Sequence, residues 1–360
     1  MITLFVDLDR EWRGGQSQAL LLLKGLHQRG QAAELLTVRG SLLAKRARKE
    51  GVYVHTIGGS WRRLRGAAQI RKMVAAGRFD LLHVNEAHAL SAAWLAGVHK
   101  GLPILLSRRI GFPLQKNWVS KARFRALTRF VANSKQVAQT LLEAGVPAAR
   151  ISIVNEGVEI PVLPSPEERE AARKKWQIAD GEYLFGCASA FVPEKGQRHL
   201  VEALGAIRGK FPEARLLLTG KGETLDEIKE LVERMNLRDM VILPGFQTLM
   251  RDFYAGLDAF LFPSEFEGLG TALQTAMAYA LPVVSTVRGA LGEVVEDGRT
   301  AIVAEPNSEE FAAAMERLLL DRPLRKKLGE AGRDEIKKRF SADRMVENTL
   351  RVYEEVLHSS

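Results

Sequence analysis

Short apolar runs alternate with longer stretches in which apolar residues recur every three or four positions, from one end of the chain to the other. The first pattern marks buried strands and the second amphipathic helices. In the first half it predicts strands at 2–6, 33–38, 81–84, 104–106, 130–132 and 151–154, and a helix over 15–28 that stops at Gly30. In the second half, strands at 183–188, 214–218, 240–243, 259–262 and 283–285 alternate with helices near 199–210, 224–235 and 271–279. Strands spaced by helices pair in parallel within doubly wound sheets, so the class is α/β. A stretch holding Pro161, Pro164 and Pro166 interrupts the alternation, and a helix does not run through such a stretch. The interdomain hinge is expected there, between a first domain at 1–162 and a second at 167–340, with a last helix in 341–360.

The length of 360 residues exceeds one ordinary core and suits two. The apolar share of 46% and charged share of 26% are those of a folded globular protein and exclude disorder or a collagen-like repeat. No apolar run approaches the roughly 18 residues that a membrane span needs. The N-terminus reads as a first strand rather than a signal peptide. The one cysteine, Cys187, excludes an internal disulfide framework and fits a reducing cytoplasm, where it is expected as a small buried core residue.

Charge changes the picture further. Residues 1–160 hold 25 Lys and Arg against 10 Asp and Glu, while the remainder holds 27 against 33. The first half therefore carries the excess of cations and is expected to meet something anionic: an anionic membrane surface, a phosphorylated glycolipid or nucleic acid. Two basic stretches mix cations with aromatic and aliphatic residues, as interfacial helices do. One runs from Trp61 through Arg62, Arg63 and Arg65, the other from Lys116 through Trp118, Lys121, Arg123 and Arg125. No nucleic-acid-binding module is recognisable, so nucleic acid is not the expected partner.

Candidate chemistry sits in loops between strands and helices. Gly14 and Gly15 follow the first strand and open a helix, which offers backbone N–H groups to an anion. The G-x-G-x-x-G fingerprint of dinucleotide enzymes is absent at that turn. Pro193-Glu194-Lys195-Gly196 follows another strand, and Phe262-Pro263-Ser264-Glu265-Phe266-Glu267-Gly268-Leu269-Gly270 a third. Ala276 to Val284 and Glu293 to Gly298 continue the series. The first half adds Trp12 to Gln18, Leu82 to Glu86, and Ser107-Arg108-Arg109-Ile110-Gly111-Phe112-Pro113. This ordered set, over nearly the whole chain, resembles glycosyltransferase family 4, retaining transferases of the GT-B fold. The tryptophan-glycine loop and paired arginines resemble a bacterial subgroup acting on cell-surface glycans, often lipopolysaccharide.

The resemblance implies two Rossmann-like domains facing a donor-binding cleft, with the last helix, 342–357, crossing back to the first. It implies a nucleotide-sugar co-substrate (UDP-, GDP- or ADP-linked), no other cofactor and no metal. Breaking the sugar–phosphate bond develops negative charge on phosphate and positive charge on the anomeric carbon. Lys195 is a compact cation suited to that phosphate, and by resemblance binds the diphosphate. Glu267 by resemblance grips the donor sugar hydroxyls. Gly268, Leu269 and Gly270 bring backbone amides to donor oxygens, with Gly14 and Gly15 on the donor side too. Thr275 stands where the family commonly has a ribose-binding glutamate, and Ala190 where it often has an arginine. Arg108 and Arg109 stand where many members have a histidine, and suit a phosphate or carboxylate on the acceptor. Glu86 and His88, just past a strand, are candidate acceptor contacts. Asp7 and Asp9 have D-x-D spacing but end a strand, and no His or Cys cluster has zinc spacing. The implied activity is retaining sugar transfer to a glycan or glycolipid acceptor, in the cytoplasm or at the inner face of the cytoplasmic membrane. A nucleotide-sugar epimerase of the same fold, and a nucleotide-sugar-binding protein that has lost its chemistry, remain as alternatives.

Overall fold

The computed structural model describes residues 1–109 and 118–358. Contacts divide the chain into two compact units, Met1–Gly157 with Ala342–Ser360, and Val158–Ser341.

The first unit runs β1 (Ile2–Asp7), α1 (Gly14–Gln28), β2 (Ala32–Val38), α2 (Leu42–Lys49), β3 (Tyr53–Ile57), α3 (Arg62–Ala75), β4 (Leu81–Val84), α4 (Ala87–Ala96), β5 (Ile104–Arg108), α5 (Trp118–Arg125), β6 (Arg129–Ala132), α6 (Lys135–Glu143) and β7 (Ile151–Ile153). Its seven strands are ordered β3-β2-β1-β4-β5-β6-β7, with every pairing parallel. Side chains alternate across a strand, so β1 sends Leu4 and Val6 into one core and Phe5 into the other. The interval around 39–80, left without elements by the sequence pattern, holds α2, β3 and α3. β3 is an edge strand whose only fully buried side chain is Ile57, so it shows no apolar run.

The second unit runs α7 (Pro166–Lys175), β8 (Tyr183–Ala188), α8 (Gln197–Ile207), β9 (Ala214–Thr219), α9 (Leu225–Arg234), β10 (Val241–Gly245), α10 (Arg251–Gly256), β11 (Ala259–Phe262), α11 (Thr271–Ala278), β12 (Val283–Ser285), β13 (Ile302–Val303), α12 (Ser308–Leu320) and α13 (Arg322–Arg339). Its six strands are ordered β10-β9-β8-β11-β12-β13, also parallel. Phe185 and Cys187 face one core, and Leu184 the other. The proline-rich stretch ends by starting a helix rather than only interrupting one. Pro166 takes the first helical position, where its missing N–H costs nothing, and Ser165 and Glu168 form a reciprocal capping box. The unit boundary lies upstream of it, at Gly157 and Val158.

The last helix, α14 (Ala342–His358), belongs to the first unit. Met345, Val346, Val352, Tyr353 and Val356 join Leu22, Leu23 and Leu26 of α1 in one core. A Cβ on Gly25 would lie 2.4 Å from Val346 Cγ2, so the two helices approach only over glycine. No described helix is long and apolar enough to cross a membrane.

Candidate functional site

In an open parallel sheet, ligands bind beyond the carboxyl ends of the strands where the strand order reverses. Those points fall between β1 and β4 in the first unit and between β8 and β11 in the second.

In the second unit, the loops leaving β8 and β11 lie against each other, and Glu265 N–H donates to the Glu194 carbonyl at 2.8 Å. Gly196 makes this approach possible. Its φ is +65°, and a Cβ there would sit 2.7 Å from the Pro263 carbonyl oxygen. Lys195 and Glu267, one from each loop, then meet: Nζ lies 2.6 Å from Oε2, with both side chains largely buried. Lys195 also donates to the Phe266 carbonyl at 3.3 Å, and Gly268 N–H donates to Glu267 Oε1 at 3.1 Å. The Glu267 backbone is clamped from behind by Gly289, whose φ is +67°, and by the Ala290 N–H. α11 opens at Gly270 (φ +64°) with no side-chain cap, so its first N–H groups are available to an anion. Alongside lies a cavity of about 410 Å³ lined by Ala190, Gly220, Lys221, Phe246, Met250 and Tyr254 among others. The cavity reaches Ala272 on α11 but not Thr275. The Thr275 hydroxyl donates to the Thr271 carbonyl at 2.7 Å, a common fate of a helical threonine, which leaves its oxygen able to accept only. Cys187 is buried, and desolvation pushes its thiol up to about 12.

In the first unit, Asp7 ends β1 and is fully buried. It accepts from Asn85 Nδ2 at 2.6 Å, Gln16 Nε2 at 3.0 Å and the Asp9 N–H at 3.0 Å. Burial nevertheless holds its carboxyl above the ordinary value. Arg109 donates to Asn85 Oδ1 at 2.8 Å and lies 2.8 Å from Glu156 Oε1. Asp7, Asn85, Arg109 and Glu156 thus form one chain along the carboxyl edge of the sheet. Arg109, expected as an acceptor-binding cation, is thus partly buried and already paired within the first unit. Arg108 is half-buried. The residues Ile110, Gly111, Phe112 and Pro113 of the same motif, and Lys116 of the second basic stretch, lie outside the described residues.

Glu86 is also committed locally. It is the N-cap of α4, accepting from Ala89 N–H at 2.7 Å, from His88 N–H, and from Leu8 N–H at 3.0 Å. Burial raises its carboxyl as well. His88 faces Arg62 and Arg63. Gly14 is the first residue of α1, and neither it nor Gly15 has a positive φ, so no tight turn requires them. Asp9 accepts from Arg10 N–H and lies 3.5 Å from Arg62. Among the described residues no group of His, Cys, Asp or Glu has a metal-holding arrangement.

Glu156 and the buried pair His83–Tyr353 escaped the sequence reading. His83 contacts Tyr353 Oη at 2.5 Å and Ser107 Oγ at 2.8 Å, and burial, with Arg109 second, pushes it down to about 3. Glu156 had one usable signal: like Asp7, Asn85 and Arg109, it is a polar residue at or just after the carboxyl end of an apolar strand.

Comparison with known proteins finds relatives of both units. Residues 168–335 match the model of glycosyl transferases group 1, and residues 12–160 that of Glycosyltransferase Family 4. An uncharacterized glycosyltransferase of Bacillus subtilis is 25% identical over 79% of this chain and 80% of its own length. A Mycobacterium tuberculosis GDP-mannose-dependent alpha-(1-6)-phosphatidylinositol monomannoside mannosyltransferase is 30% identical over 52% of this chain, which spans about half (51%) of that relative. Anabaena HepE, solved in complex with UDP and glucose, superposes with a TM-score of 0.84 at 21% identity, covering 98% of this chain and 99% of its own.

Proposed function

The chain belongs to the family 4 glycosyltransferases, and we propose that it moves a sugar from a nucleotide-sugar donor to a bacterial cell-surface glycan or glycolipid, with retention of anomeric configuration. The observation that carries this reading is the Lys195–Glu267 pair beside the uncapped start of α11 and the 410 Å³ cavity. In this reading the cavity takes the nucleotide, with Phe246, 61% exposed, offering a ring face to the base. The α11 N–H groups and Lys195 take the diphosphate, whose charge grows as the sugar bond breaks. Glu267 then exchanges its lysine contact for the donor sugar hydroxyls, and with Gly268, Leu269 and Gly270 fixes the sugar against the acceptor. No metal is needed, because lysine and helix dipole supply the positive charge. HepE was solved with UDP, which makes a UDP-sugar the first donor to test. The enzyme would work at the cytoplasmic face of the membrane, attached peripherally.

A thermal-shift panel of UDP-, GDP- and ADP-sugars, followed by NMR of the product with a glycan acceptor, tests the reading. One nucleotide class should stabilise the wild type and not Lys195→Ala, and the product should keep the donor's anomeric configuration. A nucleotide sugar altered without any acceptor would identify an epimerase instead.

A further inference from the structure

His88 stands in the first turn of α4 with a guanidinium at each ring nitrogen. Arg62 Nη2 is 2.6 Å from Nε2, and Arg63 Nε is 3.0 Å from Nδ1. Both arginine nitrogens are donors, whereas a neutral imidazole has a single acceptor nitrogen. One of the two contacts therefore sets N–H against N–H, and protonating His88 would make both do so. Ser91 lies one turn further along the same helix face. There Arg123 of α5 arrives, donating to Ser91 Oγ at 2.8 Å and to Ser120 Oγ at 3.0 Å. Its Nε is buried and has no acceptor among the described residues. Burial, and after it repulsion from Arg63, hold the Arg123 guanidinium below its ordinary value. Of the nearby carboxylates, Glu86 caps α4 and Asp9 accepts from the Arg10 N–H and lies 3.5 Å from Arg62, which leaves Arg63 and Arg123 without a carboxylate partner among the described residues. Three helices thus converge donors on one face of α4 in excess of the acceptors they have.

The flanks carry a second observation. Trp61, Leu64 and Trp118 are 76%, 55% and 75% exposed. Trp61 is held at the start of α3 in the left-handed region, φ +54°, a conformation that a residue with a side chain adopts only under constraint. Backbone strain of this kind concentrates at functional sites.

We propose that Arg63, Arg123 and His88 of the first unit form a binding site for a phosphate group, flanked by Trp61 and Trp118. A tetrahedral oxyanion presents acceptors in several directions at once, which matches donors arriving from three helices better than a planar carboxylate does. Such a phosphate is carried either by an anionic lipid headgroup or by a soluble phosphorylated ligand, and the exposed tryptophans favour the lipid. The site is independent of the donor chemistry in the second unit, and its lipid arm rests on the peripheral attachment proposed above.

The test uses the full chain. The His88 imidazole resonance, assigned with His88→Gln, is followed by NMR at neutral pH against inorganic phosphate. Binding of vesicles of phosphatidylglycerol in phosphatidylcholine, and of pure phosphatidylcholine, is followed by sedimentation. Phosphate should shift the His88 signal, and Arg63→Ala combined with Arg123→Ala should weaken that binding by about tenfold or more, since charge-assisted contacts are lost. A lipid source predicts binding to phosphatidylglycerol vesicles alone, weakened in the double variant and competed by phosphate. A soluble source predicts the His88 shift with no vesicle binding. If phosphate leaves His88 unmoved in the wild type, the proposal fails; so it does if a folded Arg63→Ala variant binds phosphate as the wild type does. UDP-sugar binding, measured in parallel, should be unchanged in these variants, which separates failure here from failure of the transferase reading.

Discussion

Lys195 Nζ lies 2.6 Å from Glu267 Oε2, although the two residues leave different strands of the second sheet. Each neutralises the other until something replaces the contact. In the proposed function a donor diphosphate would compete for the lysine, and the sugar hydroxyls for the carboxylate. Lys195→Ala and Glu267→Ala should each lower kcat by about 10²–10³, the cost of losing one preorganised charge contact of about 2.7–4 kcal/mol. Circular dichroism and melting should show an intact fold. Near-normal turnover in both variants would remove these residues from the site. Glu267→Gln should bind free nucleotide as well as the wild type while losing transfer.

Gly289 offers a test that touches no ligand. Its φ is +67°, and a Cβ would come within 2.0 Å of the Glu267 carbonyl oxygen. Gly289→Ala should therefore shift the Glu267 backbone, add at least the roughly 1–2 kcal/mol of left-handed strain, and lower turnover together with melting temperature. Unchanged kinetics would show that the Glu267 loop tolerates displacement.

Thr275 lies one turn beyond Ala272, which lines the cavity, and its hydroxyl is bonded to Thr271. Thr275→Glu introduces a charged acceptor, which should tighten nucleotide binding by about 1 kcal/mol if it reaches the ribose, since hydrogen bonds to charged groups exceed neutral ones by about that much. Isothermal titration measures this directly. Unchanged or weaker affinity would mean that the pocket closes short of this position.

Chelation should leave activity intact. Asp7 is enclosed by Asn85 and Gln16, and Asp9 is engaged with Arg62 and the Arg10 N–H. Transfer measured with and without EDTA should agree. Loss of activity restored by Mn²⁺ or Mg²⁺ would overturn the metal-free reading.

His83 gives the fold a pH dependence with a definite sign. Its folded pKa of about 3 lies below the unfolded value of 6.5, so between these limits the unfolded chain binds the extra proton. The contribution is complete above pH 6.5 and is lost as pH falls towards 3, at about 1.4 kcal/mol per pH unit within the window. Urea unfolding at pH 7 and pH 5 should show wild-type stability falling more steeply than that of His83→Gln. Equal slopes would mean that this histidine does not carry the effect.

The loops of the candidate site were legible because glycine and proline mark them. Gly196, Gly268 and Gly270 punctuate apolar strands and helix starts, and their spacing survives without tertiary information. The chain Asp7–Asn85–Arg109–Glu156 was not legible, since its members are brought together only by the strand order β1-β4-β5-β6-β7. Glu86, His88 and Arg109 were correctly placed at strand ends, but sequence alone does not reveal partners that occupy their polar atoms. β3 was missed because an edge strand exposes too much of itself to show an apolar run.

The pairing of Tyr353 with His83 also bears on how the chain is made. Translation delivers β4 well before α14, with the whole of Val158–Ser341 between them. On the ribosome the second unit can be completed while the first still lacks one wall of its core. The side of α1 that Met345, Val346 and Tyr353 cover then waits for α14 to emerge. For a nascent chain that interval is a period of exposed apolar surface, which invites chaperone binding. A chain lacking α14 would keep that surface open, so the folding of the first unit depends on a helix encoded beyond the second.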